Sequence, residues 1–491
     1  MAGQANPAAM IDLRPIAYVI GLLLAALGLA MLGPLVADLR AGNGHWPAFL
    51  QSAIITLMTG GLMALASSTG VDRRMSVRQT FLLTTGVWIV LPAFGALPFM
   101  LGATDLRLVD AYFEAMSGMT TTGSTVLKGL DDLPQGILLW RGVLQWLGGL
   151  GIVIVAMLFL PVMRVGGMQF FQSEGFDTLG KIMPRALDIA QGLLNIYLVL
   201  TGLGFLAFLA TGMSPFDAAV HAFTAVSTGG YSTRDASFAA FSGAAEYVCV
   251  VIMILGTLPF VRLLQLARGE ARPILRDSQV RTYLLWTAIA VLLIVTYRLL
   301  ALGEFSHPVF RETLFNVVSF FSGTGFTTGD VTSWGGFSFV VLFSVGAIGG
   351  CTSSTGCSIK IFRYQLLFKS IRAQIMQIHS ANRVVAVKHD GRIVDDSILA
   401  SVILFFTLYI ITFGVLTVAL SMTGLSFMAS ITGAWTAIFN VGPAFGSEVG
   451  PTGAITAFPD AAKWIMSAGM LMGRLEIIAV LVLLLPRFWR A

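Results

Sequence analysis

The sequence predicts an all-α integral membrane protein of four pseudosymmetric helix–loop–helix repeats around one axis, preceded by two extra transmembrane helices. Three observations predict it. Hydrophobic residues make up 56% of the 491 positions and charged residues 11%, against roughly 45–50% and about 25% in an ordinary soluble domain. Apolar stretches of the ~20 residues needed to cross a bilayer recur from Ile16 to Leu485 and leave no room for a large soluble domain. Between them, four short polar runs centred on a glycine recur at near-constant spacing.

The apolar stretches place long helices near 16–37, 47–67, 80–101, 139–161, 190–212, 245–264, 282–303, 337–362, 397–421 and 464–485. The first is longer than the apolar core of a secretory signal and follows only one basic residue, Arg14, so it reads as a retained helix. Basic residues set the orientation. The segments 71–78, 164–185, 262–281 and 360–392 and the tail RFWR alternate with loops poor in Lys and Arg. On this topology 21 of the 30 basic residues share one side, which the positive-inside rule assigns to the cytoplasm together with both termini. The opposite side carries 14 of the 25 acidic residues. Such an excess of carboxylate concentrates cations, although positive-inside bias alone leaves the same imbalance.

Cys249, Cys351 and Cys357 all fall in apolar segments, and an odd count argues against a disulfide framework, so they read as packing residues. The five histidines show no zinc spacing, and neither a Walker loop nor a dinucleotide fingerprint occurs. No cofactor bound by this chain and no nucleic-acid partner is expected.

The four outer segments 109–126, 214–233, 311–328 and 428–446 each pair a short apolar stretch with a Gly-centred run: TTTGST, VSTGGY, SGTGFT and FNVGPA. Aligned on Gly123, Gly229, Gly325 and Gly442, they lie 106, 96 and 117 residues apart. Repetition at about a hundred residues implies units of helix, short helix, Gly loop and helix. At ~10–12 residues, each short stretch is half the length of a span and reads as re-entrant. In the second, Ser214 can cap, Pro215 suits the first helical position and Asp217 completes a box-like start. Asp110, Glu114, Asp217 and Glu312 lie near the starts of the first three, where carboxylates complement the helix dipole.

Irregular backbone at membrane depth is tolerated only where it is buried in protein or lines a watery cavity. Four such loops around one axis would make helix–pore loop–helix repeats around one pore and offer rings of carbonyl oxygens to a dehydrated cation. Glycine suits that place because it reaches backbone conformations closed to other residues and puts no side chain into a narrow lumen. The expected units are 1–70 for the N-terminal helix pair and 71–188, 189–281, 282–395 and 396–491 for repeats 1 to 4.

These residues resemble the superfamily of potassium transporters comprising TrkH, KtrB and the plant HKT proteins, over nearly the whole chain. The two extra helices at 16–37 and 47–67 look like the TrkH branch. The resemblance implies a homodimer with a separate pore in each subunit and a filter that binds potassium, the substrate. It carries the filter glycines over to Gly123, Gly229, Gly325 and Gly442, with Thr121, Thr122, Thr228, Thr324 and Val441 beside them. The fourth loop departs by lacking a Thr-Gly pair.

The run GAIGGCTSSTGCSIK at 346–360 resembles the intramembrane loop that blocks the pore below the filter in this superfamily, with Gly349, Gly350, Ser353, Ser354 and Gly356 as its small residues. So many Gly, Ser and Thr residues in succession make a poor helix. Arg474 lies inside an apolar span, and an arginine there faces an interior or an aqueous cavity. The resemblance makes it a basic residue projecting toward the pore; a structural ion pair with another helix is the competing reading. Glu476, two positions on, lies on another helical face and is not expected to pair with it. Asp235, Asp330 and Glu448 follow the filter loops as mouth residues or as solvated loop acids, and His221 reads as a hydrogen-bonded packing residue.

The expected function is potassium uptake across a bacterial inner membrane through a channel-like pore, with a cytoplasmic nucleotide-binding regulatory ring of TrkA type on the basic inner loops. A sodium- or proton-coupled symporter is the alternative. An intramembrane hydrolase using TSSTG or His221 lacks a paired acid or a Ser/His constellation.

Overall fold

The computed structural model describes residues 11–69, 75–158, 186–380, 386–450 and 453–489. Arg73, Arg74, Arg383, Arg490 and the basic stretch from Arg164 to Arg185 lie outside the described residues. Apart from one two-stranded hairpin, Lys388–His389 against Arg392–Ile393, the described chain is helical or irregular. Seven of its helices are long and apolar enough to cross a membrane, and their outer faces carry exposed leucine, isoleucine and valine such as Leu206, Leu292, Ile410 and Val418. That apolar exterior is what a bilayer requires of a helical protein.

Two expected spans are broken. The stretch read as 245–264 is Ala244–Thr257 followed by Phe260–Ala267, bent by 104°, and that read as 464–485 is Asp460–Leu475 followed by Ile477–Leu484, bent by 114°. At the first break Leu258 is extended and Pro259 offers no N–H to continue the ladder. At the second, Glu476 takes a left-handed φ of 64°. The stretch read as 337–362 is a helix only over Gly336–Ile348; the chain is irregular through Lys360 and then forms Ile361–His379. Two expected unit boundaries also fall inside helices, Ala186–Ala210 and Ser278–Leu302. Asp277 accepts from the backbone N–H groups of Gln279 and Val280, starting the latter helix a turn before its apolar stretch begins.

Four short helices follow the expected spacing: Leu108–Met119, Pro215–Val226, His307–Ser322 and Phe427–Phe439. The second starts as its sequence indicates, with Ser214 Oγ accepting from the Asp217 N–H at 3.1 Å and Pro215 in the first turn. Ser306 and Ser426 cap the third and fourth in the same way. The fourth carries an added carboxylate: Glu448 accepts from the Ser426 hydroxyl and backbone N–H, which hold its pKa below the usual carboxylate range.

The N-terminal helices cross closely, because a Cβ on Gly21 would stand 2.7 Å from the Gly60 carbonyl oxygen. Small residues at such crossings let helix backbones approach within a membrane. Asp38 ties this pair to the first repeat: its buried carboxylate accepts from Gly136 N–H at 2.7 Å and pairs with His45 at 2.8 Å.

Candidate functional site: a ring of four glycine loops above a buried plug

Each short helix ends by turning its backbone into a loop with the same bonds. The N–H groups of Thr122, Gly229, Thr324 and Val441 return to the carbonyls five residues earlier, those of Ser117, Thr224, Ser319 and Thr436, at 2.9, 2.8, 2.9 and 3.3 Å. The residue before each is left-handed: Thr121, Thr228, Gly323 and Asn440 at φ 52°, 51°, 77° and 52°. The residue after each is left-handed too, and here all four are glycine: Gly123, Gly230, Gly325 and Gly442 at 87°, 78°, 80° and 111°.

The register of the second loop therefore moves by one. Gly230, not Gly229, is the structural counterpart of Gly123, Gly325 and Gly442, and Gly229 corresponds to Thr122, Thr324 and Val441. The sequence offered two adjacent glycines, and alignment on the first misplaced the loop. Gly229 has an ordinary φ and needs to be glycine for another reason: a Cβ there would stand 2.3 Å from Gln145 Cδ.

The loops close on one another in chain order. A Cβ on Gly123 would meet the Gly229 carbonyl oxygen at 2.4 Å, one on Gly230 the Thr324 oxygen at 1.8 Å, and one on Gly325 the Val441 oxygen at 2.0 Å. The circle is completed by Gly442, whose Cβ would lie 3.1 Å from the Thr122 oxygen. Carbonyls and glycines thus interlock around an axis too narrow for one added methyl in three of the four positions. On one side the ring opens into a cavity of about 540 Å³ lined by Gly123, Gly230, Gly325 and Gly442. Of the three acids considered for the mouth, Asp330 lines this cavity, whereas Asp235 and Glu448 do not.

A buried frame holds the loops from behind. Arg141 and Glu114, both fully buried, pair at 2.8 Å. Glu114 also accepts from Thr125 Oγ1 and Val126 N–H of the first loop, while Arg141 donates to the Ser232 carbonyl after the second and lies 4.0 Å over the Tyr231 ring. Gln145 clamps the second loop with both ends of its amide, Nε2 to the Gly229 carbonyl at 2.6 Å and Oε1 from the Tyr231 N–H at 3.0 Å. Lys463 reaches Asp110 at the start of the first short helix at 2.5 Å, joining the last repeat to the first. Sequence reasoning missed the ion pairs of this frame because their partners lie 27 and 353 residues apart. The one sequence signal was the polarity of Arg141 and Gln145 within an apolar span.

Beneath the ring lies the 349–360 stretch, buried throughout. Its Cys357 Sγ stands 3.7 Å from Thr121 Oγ1, and Cys357 Cβ lies 3.2 Å from a Cβ built on Gly323. Thr355 Oγ1 bonds to the Val226 carbonyl at the end of the second short helix, and Ser358 Oγ to that of Phe439 at the end of the fourth. The loop also uses the groups freed by the break at Pro259. Cys351 and Thr355 N–H donate to the Thr257 and Gly256 carbonyls at 3.2 Å, and Phe260 N–H donates to the Ser353 carbonyl at 2.9 Å. Ser354 Oγ braces the turn, donating to the Cys351 carbonyl and accepting from Gly356 N–H. Gly350 and Gly356 pack face to face, and a Cβ on Gly349 would meet the Cys357 carbonyl oxygen at 2.2 Å.

Arg474 projects into this stretch, its Nη1 at 3.2 Å from the Thr355 carbonyl and 2.7 Å from Cys357 Sγ. It has no carboxylate partner among the described residues. Glu476 pairs instead with Arg363. Cys357 is therefore more than packing. His221, in contrast, is a packed residue bonded to the Asp217 carbonyl and Ser232 Oγ.

Four interlocked glycine loops at the ends of short helices, a buried irregular stretch against them and apolar helices around them define a polytopic membrane protein. The family model TrkH, described as a cation transport protein, matches residues 45–490, and the chain belongs to that family. It is 38% identical to the Trk system potassium uptake protein TrkI of Halomonas elongata, over 97% of each chain. It is 34% identical to the Trk system potassium uptake protein TrkH of Escherichia coli, over 97% of this chain and 99% of that one. The crystal structure of the potassium transporter TrkH from Vibrio parahaemolyticus superposes with a TM-score of 0.89 at 32% identity, covering 98% of this chain and 100% of that one. The relatives are named for transport and not for catalysis.

Proposed function

We propose that this chain takes up potassium across a bacterial inner membrane through a channel-like path whose narrowest part is the ring of Gly123, Gly230, Gly325 and Gly442. The interlocked carbonyls and glycines carry this reading. Carbonyl rings replace the hydration shell of a dehydrated cation, and left-handed glycines hold the backbone where no side chain could fit. Thr121, Thr122, Thr228, Gly229, Thr324 and Val441 complete the filter. The membrane potential supplies ~2.3 kcal/mol per charge for each 100 mV, so inward accumulation needs no cofactor bound by this chain.

In this reading 349–360 is the gate and Arg474 its latch. A cation leaving the ring meets the loop backbone and then a fixed positive charge, whose repulsion is strengthened by low local dielectric. Both termini are cytoplasmic, the working unit is a homodimer with one pore per subunit, and a nucleotide-binding ring of TrkA type bears on the basic inner face.

The test is cation flux in reconstituted liposomes, with rubidium as tracer and sodium and proton gradients set independently. Flux that follows the potassium gradient and potential alone supports the channel-like path. Strict dependence on an inwardly directed sodium or proton gradient would replace it with coupled symport. Arg474→Ala is expected to raise flux per folded molecule with little change of selectivity, because the filter lies on the far side of the plug; slower flux with a lower Tm would overturn the latch role.

A further inference from the structure

Below the 349–360 stretch, the described residues that line one small cavity carry more positive than negative charge. A cavity of about 20 Å³ is lined by Lys360, Arg363, Arg474, Glu476, Asn440 and Cys357, among others. Three of these are cations and one is an anion. Lys360, Arg363, Arg474 and Glu476 are all buried, Arg474 being only 5% exposed. Glu476 is shared: one oxygen is bonded to Arg363, and Lys360 feels the same carboxylate. That leaves Arg474, which spends Nη1 on the Thr355 carbonyl and Cys357 Sγ, while its Nε and Nη2 have no hydrogen-bond partner among the described residues. Asn440 Oδ1 and Glu476 Oε2 are the unpartnered acceptors at the same cavity.

Burying a charge without compensation is strongly unfavourable. A bound cation here would add to the excess, and a water molecule would leave it unchanged. An anion offsets it and takes up the unused guanidinium edge, which offers two parallel N–H donors. The size of the cavity restricts which anion: one water needs about 10–15 Å³ by the same measure, so there is room for a single small ion and not for phosphate or sulfate. We propose that this cavity is a binding site for a small monovalent anion of chloride size, held by Nε and Nη2 of Arg474 beside the Lys360 ammonium. An anion held there screens Arg474 and weakens its repulsion of a cation, so the latch acts fully only while the site is empty; the test reads binding without transport.

The first measurement is thermal unfolding of the detergent-solubilised full chain at fixed potassium concentration and ionic strength, in chloride or bromide against gluconate, which is too large to enter. A ligand that binds only the folded state raises Tm as its concentration passes Kd, here by about 1–3 °C at saturating halide. Arg474→Gln is expected to abolish that increment, and Lys360→Met to reduce it and to serve alone if the first variant does not fold. The second measurement is anomalous diffraction from crystals of the unaltered protein grown in bromide, with a peak expected beside Arg474 Nε and Nη2. No peak in the cavity, or a halide increment that survives in Arg474→Gln, would overturn the proposal. So would a peak with no halide-dependent Tm, which marks binding at crystal concentration only.

Discussion

The ring loops and the 349–360 stretch have similar compositions, rich in Gly, Ser and Thr, and both are buried, yet their backbones are held differently. Each ring loop bonds back to its own short helix, through N–H groups returning five residues to Ser117, Thr224, Ser319 or Thr436. The plug borrows its partners from other repeats: Val226, Gly256, Thr257 and Phe260 from the second, Phe439 and Arg474 from the fourth. Composition alone therefore does not distinguish the two; the repeated five-residue return bond, which every ring loop makes and the 349–360 stretch lacks, does.

The largest expected effect comes from breaking the frame behind the ring. Glu114→Ala leaves Arg141 charged, buried and without its carboxylate, and removing one member of a buried pair costs about 3–5 kcal/mol. Thermal unfolding would show a large drop in Tm together with loss of selectivity. Unchanged selectivity would mean that the frame supports the helices and not the ring.

Next come the glycines, which also test the register. Gly230→Ala forces a methyl against the Thr324 carbonyl at a left-handed φ, whereas Gly229→Ala, at an ordinary φ, meets the end of the Gln145 side chain. Potassium-to-sodium discrimination should fall in both variants and further in Gly230→Ala. The reverse order would restore Gly229 as the counterpart of the other three.

The plug should respond more gently. Thr355→Val removes a hydroxyl that bonds across to Val226 and Gly256, worth about 1 kcal/mol net, so basal flux should rise roughly fivefold with selectivity intact. Equal flux would argue that the loop stays closed without its cross-braces. Deleting several residues within 349–358 extends the same test, and a folded but inactive deletion would assign the loop a structural part.

The smallest effect is expected at Glu448. Bonds from Ser426 lower its pKa in the folded state. Its stabilising contribution is therefore complete above the unfolded glutamate pKa and lost as pH falls through the lower folded value. Glu448→Gln should trim Tm slightly at neutral pH, and the difference from the unaltered protein should vanish in acid.

Much of this was legible in the sequence. Apolar runs and a hundred-residue spacing located the short helices, and Ser214 with Pro215 marked the start of one. Small residues at 349–358 marked an irregular, buried break in an apolar run. The remainder was hidden for identifiable reasons. Two adjacent glycines in VSTGGY differ only in backbone φ, which composition does not encode. Pro259 sits in a run apolar enough to read as continuous, and the left-handed turn at Glu476 carries no glycine to announce it. The pairs Arg141–Glu114 and Arg363–Glu476 depend on tertiary contact across 27 and 113 residues. Their mates could not be chosen from hydropathy.

The interlocking of Gly123, Gly230, Gly325 and Gly442 with their neighbours' carbonyls has one further consequence. A pore assembled from four identical subunits changes in all quadrants whenever one codon changes. Here each loop is written separately, so Asn440 and Val441 hold in the fourth loop the places that Thr121 and Thr122 hold in the first. The ring can be altered one loop at a time, and its departures from fourfold symmetry are heritable.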